Sequence, residues 1–293
     1  MKNSPLVSIL IPTFNGEKYI TDTLNSVIKQ TYKNLEIIIS DDASMDGTLA
    51  IVDTYISKTN IPIKIFDHKP SGIGANWNYC LSKAQGEYIK FLFQDDFMEP
   101  NCIEKMMGVF KKNNDVKMVL CKRHIMVEEA FKSERTNQWI NTYGDLQKDL
   151  NLKQENSYKI IDKTLFMHQS FLIEPLNKFG EPSVILFKKE IIDTIGNYRE
   201  DLIQALDFEF CNRIILKYKA ALLDEKLVTF RLHLNQATTK NAGNHKDLDL
   251  YDTIVYNHYF WYLNNKNKKL LLKKHNEIVK LLLKIKRKLG VKL

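Results

Sequence analysis

The sequence contains only four cysteines among 293 residues, and no two of them form a CxxC pair. This scarcity argues against a disulfide-stapled scaffold and a zinc ribbon, and it is typical of proteins in a reducing cytosol. Glycine-rich phosphate loops are also absent, since neither GxGxxG nor GxxxxGK[ST] occurs. Their absence argues against dinucleotide-dependent redox chemistry and against a P-loop ATPase.

Long hydrophobic runs are missing as well. No stretch approaches the roughly 20 apolar residues that a membrane-spanning helix needs. The first residues are polar and lead into a short apolar strand, so we expect no signal peptide and a cytoplasmic location.

Charge is unevenly distributed along the chain. Of the 43 Lys and Arg and 35 Asp and Glu residues, eleven basic residues and one acid, Glu277, lie from residue 265 onward. Residues 1–264 therefore carry 32 basic and 34 acidic side chains. A nucleic-acid-binding domain would be basic over its whole body, so we expect no nucleic-acid partner.

The basic tail, residues 266–293, interleaves its lysines with leucine, isoleucine and valine. This pattern is typical of a basic amphipathic helix that lies on an anionic membrane, here the inner face of the cell membrane. The alternative is a helix that packs its leucines on the body of the protein or on a second copy, forming a homodimer.

Strand and helix signals alternate over the first 120 residues. Apolar runs predict strands, helical periodicity separates them, and the combination predicts an α/β fold with a mostly parallel central sheet flanked by helices. Residues 122–180 look irregular, with short helical pieces. The predicted strands are 7–11, 35–39, 63–66, 88–93, 116–120, 183–187 and 227–232, and the predicted helices are 17–30, 49–56, 77–84, 144–152, 162–169, 207–218, 248–263, 268–289 and one after Pro100.

Two aspartate doublets follow predicted strands: Asp41-Asp42 and Asp95-Asp96. Ligands of open α/β sheets bind outside the carboxyl ends of the strands. Adjacent carboxylates repel each other, and a divalent cation with oxygen ligands would compensate them. A single doublet is more often a helix cap or a turn, but two doublets at strand ends favour a site.

The order of motifs resembles the family 2 glycosyltransferases, which have the GT-A, or nucleotide-diphospho-sugar transferase, fold. The resemblance covers about residues 6–236, and within the family the chain is most similar to the bacterial surface-polysaccharide type. It rests on VSILIPTFN (7–15), SVIKQT (26–31), DDASMDGT (41–48), GEYIKFLFQDD (86–96), GEPSVILF (180–187), DFEFCNR (207–213) and FRLHLNQ (230–236).

This resemblance implies a nucleotide-sugar site. Pro12, Thr13 and Phe14 would border the nucleoside, and Asp42 would accept a hydrogen bond from the base. Asp95 occupies the last position of the metal-binding Asp-x-Asp element and would bind Mn²⁺ or Mg²⁺.

On the same basis, Asp96 would support the metal loop or the sugar, and Asp207 would be the catalytic base. Glu209 and Glu181 are the alternatives to Asp207 as the base. If Asp207 is the base, either glutamate could instead contact the diphosphate or the acceptor. His233 would face the diphosphate or the acceptor.

Three positions depart from the family pattern. Phe93 stands where the first Asp of Asp-x-Asp belongs, Leu206 replaces a carboxylate before Asp207, and Trp77 stands where many members have Arg. The first departure suggests that the metal site relies on the diphosphate and water.

The resemblance implies an inverting, metal-assisted glycosyltransferase that moves a sugar from a nucleotide diphosphate to a hydroxyl of a glycan or lipid-linked acceptor. The alternatives are a nucleotidyltransferase and a non-catalytic sugar-nucleotide-binding scaffold. We expect a GT-A domain over residues 1–240, with a donor half (1–121) and an acceptor half (122–240), and a helical C-terminal extension (241–293).

Overall fold

The computed structural model describes residues 4–67, 69–236 and 245–288. The strands of these ranges are β1 (Val7–Thr13), β2 (Leu35–Asp41), β3 (Ile63–Asp67), β4 (Tyr88–Phe91), β5 (Phe97–Met98), β6 (Val116–Val127), β7 (Lys153–Glu155), β8 (Tyr158–Ile161), β9 (Ile185–Lys188) and β10 (Lys219–Leu232). The α-helices are α1 (Ile20–Ile28), α2 (Thr48–Ile56), α3 (Ile73–Lys83), α4 (Cys102–Lys112), α5 (Glu134–Tyr143), α6 (Ile192–Ile195), α7 (Leu206–Lys217), α8 (His245–Ile254), α9 (Asn265–His275) and α10 (Glu277–Lys288).

All of these strands belong to one sheet, in the order β3-β2-β1-β4-β9-β6-β10-β8-β7, with β5 paired to β10. β1 to β4 are parallel to one another, and β6 is parallel to β10. β9 runs antiparallel between β4 and β6. The predicted α/β fold with a mostly parallel central sheet is confirmed. As a result, β1, β2, β4, β6 and β10 all end at the edge where β9 begins.

The central strands are hydrophobic on both faces. All seven residues of β2 and six of the seven in β1 are buried. Because successive side chains of a strand point to opposite faces, this burial requires cover on both sides of the sheet. α1 contributes Ile20, Leu24 and Val27 to that cover, at the spacing of one helical face.

The prediction for residues 122–180 was partly wrong: the helical piece expected at 162–169 is present as a 3-10 helix (Lys163–Met167), but the rest differs. β6 continues to Val127, a helix forms at Glu134–Tyr143 instead of 144–152, and a β7–β8 hairpin follows. The sequence Lys-Arg-His at 122–124 does not read as a strand. It becomes one because β10 pairs alongside it over residues 122–127, so tertiary pairing overrides local propensity.

β10 is also longer than predicted, since it starts at Lys219 rather than at 227. The polar residues 224–226 interrupt the apolar pattern, so the sequence does not indicate one continuous strand. The register with β6 shifts at these residues. The two predicted C-terminal helices are each divided. A π-helical turn follows α8 (Val255–Tyr259), and Asn276 separates α9 from α10.

No helix among the described residues is both long enough and apolar enough to span a membrane. The expected boundary between the catalytic domain and the extension, at residues 240–241, lies outside the described residues, as do residues 289–293 of the tail.

Candidate active site

The turns after β1 and β2 are tied together by a buried carboxylate. Thr13 Oγ1 donates to Asp41 Oδ1 (2.6 Å), and Asp41 also accepts hydrogen bonds from the backbone N and the hydroxyl of Ser44 (2.7 Å each). The backbone N of Asp42 donates to the carbonyl of Thr13 (2.8 Å). Asp41 is thus a scaffold residue, and its neighbour Asp42 stands half-buried beside Thr13.

Phe14 follows β1 and is 47% exposed, while its backbone is held by two hydrogen bonds to Gln94. Its N–H donates to Gln94 Oε1 (2.9 Å), and Gln94 Nε2 donates to its carbonyl (3.0 Å). A Cβ on Gly16 would lie 2.2 Å from the same Oε1. Gln94 therefore joins the candidate nucleoside turn to the loop of Asp95. Sequence reasoning missed this role, although a primary amide can pair with both the backbone N–H and the backbone carbonyl of one residue.

Asp95 and His233 form the polar centre of this edge. His233 follows β10 directly, and its Nε2 lies 2.9 Å from Asp95 Oδ2. The imidazole is buried against the ring of Tyr19, with centroids 4.5 Å apart. The structure therefore pairs His233 with the predicted metal ligand.

Asp96 has its carboxyl group inside the protein. Its Oδ1 accepts a hydrogen bond from the backbone N of Arg231 (3.2 Å), and its carbonyl accepts one from Thr23 Oγ1 (2.8 Å). Burial, reinforced by the charge of Asp95, raises the pKa of Asp96 well above its usual value. Of the two roles that the resemblance implied, this burial favours support of the loop over contact with the sugar.

The residues present fit a divalent metal. Asp95 Oδ2 and His233 Nε2 lie 2.9 Å apart in a hydrogen bond, and a carboxylate oxygen and an imidazole nitrogen this close could both reach one cation in place of that bond. No group of three or more His, Cys, Asp or Glu among the described residues has metal-binding geometry. A metal held here would take its other ligands from a diphosphate and water, as Mg²⁺ and similar ions do.

The aromatic departures from the family pattern belong to the core. Phe93 turns its ring toward Trp77, with centroids 5.0 Å apart, and Trp77 also packs against Phe91 and Tyr198. Trp77 is buried. Its burial among these rings makes it a core residue.

Asp207 lies in the first turn of α7 and is almost completely buried. Its Oδ1 accepts a hydrogen bond from the backbone N of Phe208 (2.7 Å), and its Oδ2 accepts one from Asn177 Nδ2 (3.1 Å). Burial raises the pKa of Asp207 to about 8, with smaller contributions from the charges of Glu181 and Asp247. A carboxyl group with such a pKa can exchange a proton near neutral pH.

The charge of Glu181 contributes to the raised pKa of both Asp96 and Asp207. Its Oε2 is 3.1 Å from Nε of the buried Arg123. Glu181 precedes β9 and Arg123 belongs to β6, so the ion pair links these neighbouring strands and compensates the Glu181 carboxylate.

Glu209, the other alternative to Asp207, is committed elsewhere. Both of its oxygens accept hydrogen bonds from Arg213 Nε (3.0 Å each), and Arg213 also donates to the carbonyls of Ile195 and Asn197. The pair fastens α7 to the loop after α6.

One short segment, residues 177–183, connects Asp207 with the metal loop. Asn177 contacts Asp207 at its start, and near its end Ser183 Oγ accepts a hydrogen bond from the backbone N of Phe93 (3.1 Å). The candidate site residues after β1, β2, β4 and β10 thus share one edge with Asp207. Sequence reasoning missed Asn177 because it lies in a stretch without periodicity.

A second contact supports the Asp207 loop from the C-terminal extension. The buried carboxylate of Asp247, in α8, accepts hydrogen bonds from the backbone N–H groups of Ile203, Gln204 and Ala205 (2.6, 3.0 and 2.9 Å). These residues lead directly into α7. The extension is therefore part of the framework that holds Asp207.

An α/β sheet with this strand order and an acidic carboxyl edge is the architecture of GT-A glycosyltransferases, and solved structures of that class match it. S. aureus TarS 1-349 in complex with UDP-GlcNAc has a TM-score of 0.63 and 19% identity, over 86% of this chain and 66% of that chain. Mannosyltransferase PcManGT from Pyrobaculum calidifontis, in complex with GDP-Man and Mn²⁺, has a TM-score of 0.61 and 14% identity, over 99% and 82%. These likenesses establish the fold.

The family model described as glycosyl transferase family 2 matches residues 8–173. An uncharacterized glycosyltransferase of Haemophilus influenzae is 30% identical over 268 residues, which are 90% of this chain and 76% of the relative. One from Rickettsia typhi is 29% identical over 82% of this chain and 68% of the relative. The chain belongs to glycosyl transferase family 2 and is a glycosyltransferase.

Proposed function

We propose that this glycosyltransferase takes a sugar from a nucleoside diphosphate and passes it, with inversion at the anomeric carbon, to a hydroxyl group of a glycan or lipid-linked acceptor. The observation that carries the proposal is the buried Asp207 carboxyl, whose pKa is about 8, at the same sheet edge as the Asp95–His233 pair.

The donor would lie along the carboxyl ends of β1, β2 and β4. The exposed ring of Phe14 offers a face for the base, Pro12 and Thr13 form the wall beside it, and Asp42 accepts a hydrogen bond from a base N–H. Gln94 fixes the distance between this nucleoside end and Asp95 through its two hydrogen bonds to the Phe14 backbone.

Asp95 and His233 would hold a divalent metal at the diphosphate. Bound there, a metal supplies Lewis-acid stabilisation of the charge that develops on the leaving group. Burial of Asp96 beside this loop raises the pKa of its carboxyl well above its usual value, which weakens its competition with Asp95 for a cation.

Asp207 would remove the proton from the attacking hydroxyl, a step for which a positioned base contributes about 10²–10⁴-fold. Asn177 orients the carboxylate through Oδ2, and Asp247 fixes the loop that carries it. A base on one side of the anomeric carbon and a leaving group on the other give in-line displacement and inversion. Glu209 has no part in this proposal, because Arg213 occupies both of its oxygens.

The alternative of a non-catalytic scaffold depended on Phe93 in place of an aspartate. In this proposal, His233 would compensate for that departure, because its Nε2 lies 2.9 Å from Asp95 Oδ2 and could serve as a second protein ligand. A nucleotidyltransferase is disfavoured by membership in family 2.

The test begins with a thermal-shift panel of nucleoside diphosphates and their sugars, each with and without Mn²⁺, followed by hydrolysis or transfer assays of the donor that binds. We expect stabilisation by one nucleotide class that depends on the metal and is lost in Asp95→Ala. Turnover that continues unchanged in EDTA would refute the metal-assisted mechanism, and retention of the anomeric configuration in the product would refute inversion.

A further inference from the structure

The two last helices of the described chain differ in how they use their apolar side chains. In α9, Leu271 is fully buried, and Lys274 forms ion pairs with Asp249 (2.9 Å) and Asp252 (2.6 Å) of α8. α9 is therefore anchored to the body. α10, which follows Asn276, has no comparable buried leucine among its described side chains.

Among the side chains of α10 that the structure describes, three exposed apolar residues share one face: Ile278, Leu281 and Leu282. They are spaced as i, i+3 and i+4, so they lie on one side of the helix, and they are 71%, 58% and 54% exposed. We call these three residues the tail face. Clustered exposed apolar side chains of this kind mark an interaction surface more often than a solvated one.

The surroundings of the tail face are strongly basic. Residues 265–288 include ten Lys and Arg against the single acid Glu277. Lys266, Lys269, Lys273 and Lys284 are exposed, while Lys280 pairs with Glu277 (2.7 Å). The partner of the tail face must therefore accept apolar side chains and carry negative charge.

An exposed aromatic pair precedes α9. Trp261 is 83% exposed, Tyr262 is also exposed, and Lys268 Nζ lies 6.0 Å from the Trp261 ring centroid. Trp and Tyr next to lysines are characteristic of the boundary between lipid headgroups and acyl chains, where one end of the ring is apolar and the other hydrated.

We infer that the tail face, together with the basic segment around it, docks on an anionic lipid surface. Insertion of Ile278, Leu281 and Leu282 below the headgroups and attraction of the lysines to anionic lipids act together in such a helix. A second copy of the chain fits less well, because pairing two tail faces would bring two segments of strong positive charge together. Nucleic acid would satisfy the lysines but not the leucines.

The test is co-sedimentation of the full chain with phosphatidylcholine vesicles, with and without phosphatidylglycerol. We expect binding only to the anionic vesicles, weakened by salt. The double variant Leu281→Gln/Leu282→Gln should lower the partition coefficient at least about ten-fold, since each inserted leucine loses most of its transfer free energy. Lys273→Gln/Lys284→Gln should lower it about five-fold per lysine at low salt.

Two matched controls lie on the body. Ile56→Gln replaces an exposed apolar residue at the end of α2, and Lys111→Gln/Lys112→Gln removes two exposed charges at the end of α4. Both should bind vesicles as the parent does. Hydrolysis of the soluble donor should be unchanged in all variants, which separates lipid docking from damage to the active site.

Equal binding by the leucine variant and the parent would overturn the inference, since it would leave only non-specific charge attraction. Light scattering that shows a dimer lost in the leucine variant, without vesicle binding by the parent, would assign the tail face to a second copy. Retention by duplex DNA that ignores the leucine substitutions, with no vesicle binding, would assign the segment to polyanions.

Discussion

His233 Nε2 and Asp95 Oδ2 lie 2.9 Å apart although 138 residues separate them in the chain. The pairing exists because β10 and the loop after β4 end at the same edge of the sheet. In the proposed metal site, the two side chains would supply the protein donor atoms, with Phe93 standing where the family pattern has its first aspartate.

We therefore expect His233→Gln and Asp95→Asn each to weaken metal activation. The Mn²⁺ concentration for half-maximal donor hydrolysis should rise at least about ten-fold, as it does when ligands or their supports are removed. The matched control is His168→Gln, because His168 contacts Ser170 away from this edge. A metal dependence unchanged in His233→Gln would restrict this histidine to a packing role.

Asp207→Asn tests the catalytic base. Turnover should fall at least about a hundred-fold, while the affinity for the nucleoside diphosphate, measured by calorimetry, should remain. The comparison variant is Glu209→Gln, which removes the charge that pairs with Arg213. It should cost about 1.5–3 kcal/mol in stability but leave most of the turnover per folded enzyme. Loss of turnover in Glu209→Gln, with turnover retained in Asp207→Asn, would instead identify Glu209 as the base.

The pH dependence of activity follows from the raised pKa of Asp207, about 8. A base acts in its ionised form, so kcat/KM should rise as pH increases through about 8 and level off above it. A rate that is flat between pH 6 and 9, roughly the window around this pKa, would contradict the assignment.

Stability should change with pH in the opposite direction. The folded pKa of Asp207 lies above the unfolded value of about 3.9, so its contribution to stability is complete below about pH 4 and is lost as pH rises to about 8. Asp207→Asn should therefore unfold at a higher temperature than the parent at pH 8, by a few degrees for each 1 kcal/mol or so. Calorimetric scans at pH 5 and 8, about the two ends of this window, measure the difference.

Asp247→Ala would leave three backbone N–H groups before α7 without their acceptor. We expect a loss of about 2–4 kcal/mol in unfolding free energy and lower turnover, with donor affinity retained. Asp247→Asn should restore part of both, because it keeps one acceptor oxygen. Asp249→Ala, which removes an exposed ion pair to Lys274, is the control and should be within about 0.5 kcal/mol of the parent.

Gly16→Ala should disturb the nucleoside turn, because its Cβ would meet Gln94 Oε1 at 2.2 Å. Donor binding should weaken about as much as in Gln94→Ala, and the double variant should be no worse than the single ones, since both remove the same contacts. Gly108→Ala, where the added Cβ meets open space in α4, should be neutral or slightly stabilising. Fully additive effects would mean that Gly16 acts independently of Gln94.

The donor half was the more predictable part of the fold. Residues 35–39 lie within β2 as expected, and 7–11 within β1, because buried parallel strands form short apolar runs that are visible locally. The acceptor half was less predictable. Residues 122–127 become a strand only by pairing with β10, because the basic residues at 122–124 give no local indication of a strand.

The site was predictable to the extent that it follows strand ends. Thr13, Asp42 and Asp95 could be placed because parallel strands end at a common edge. Their supports could not. Gln94, Asn177 and Asp247 act through hydrogen bonds to groups that are distant in the sequence. Glu209 is excluded by its pair with Arg213 one turn away. Trp77 proved to be core because of rings that lie far from it in sequence.

By itself, the sequence determined the alternating α/β architecture, the aspartates at the strand ends and the basic, apolar tail, because these depend on periodicity, propensity and charge within short windows. Only the tertiary structure decided that His233 meets Asp95, that Asp207 is buried enough to hold a proton near neutral pH, and that Ile278, Leu281 and Leu282 point outward. Each of these depends on the order of strands in the sheet and on the water excluded by segments far away along the chain.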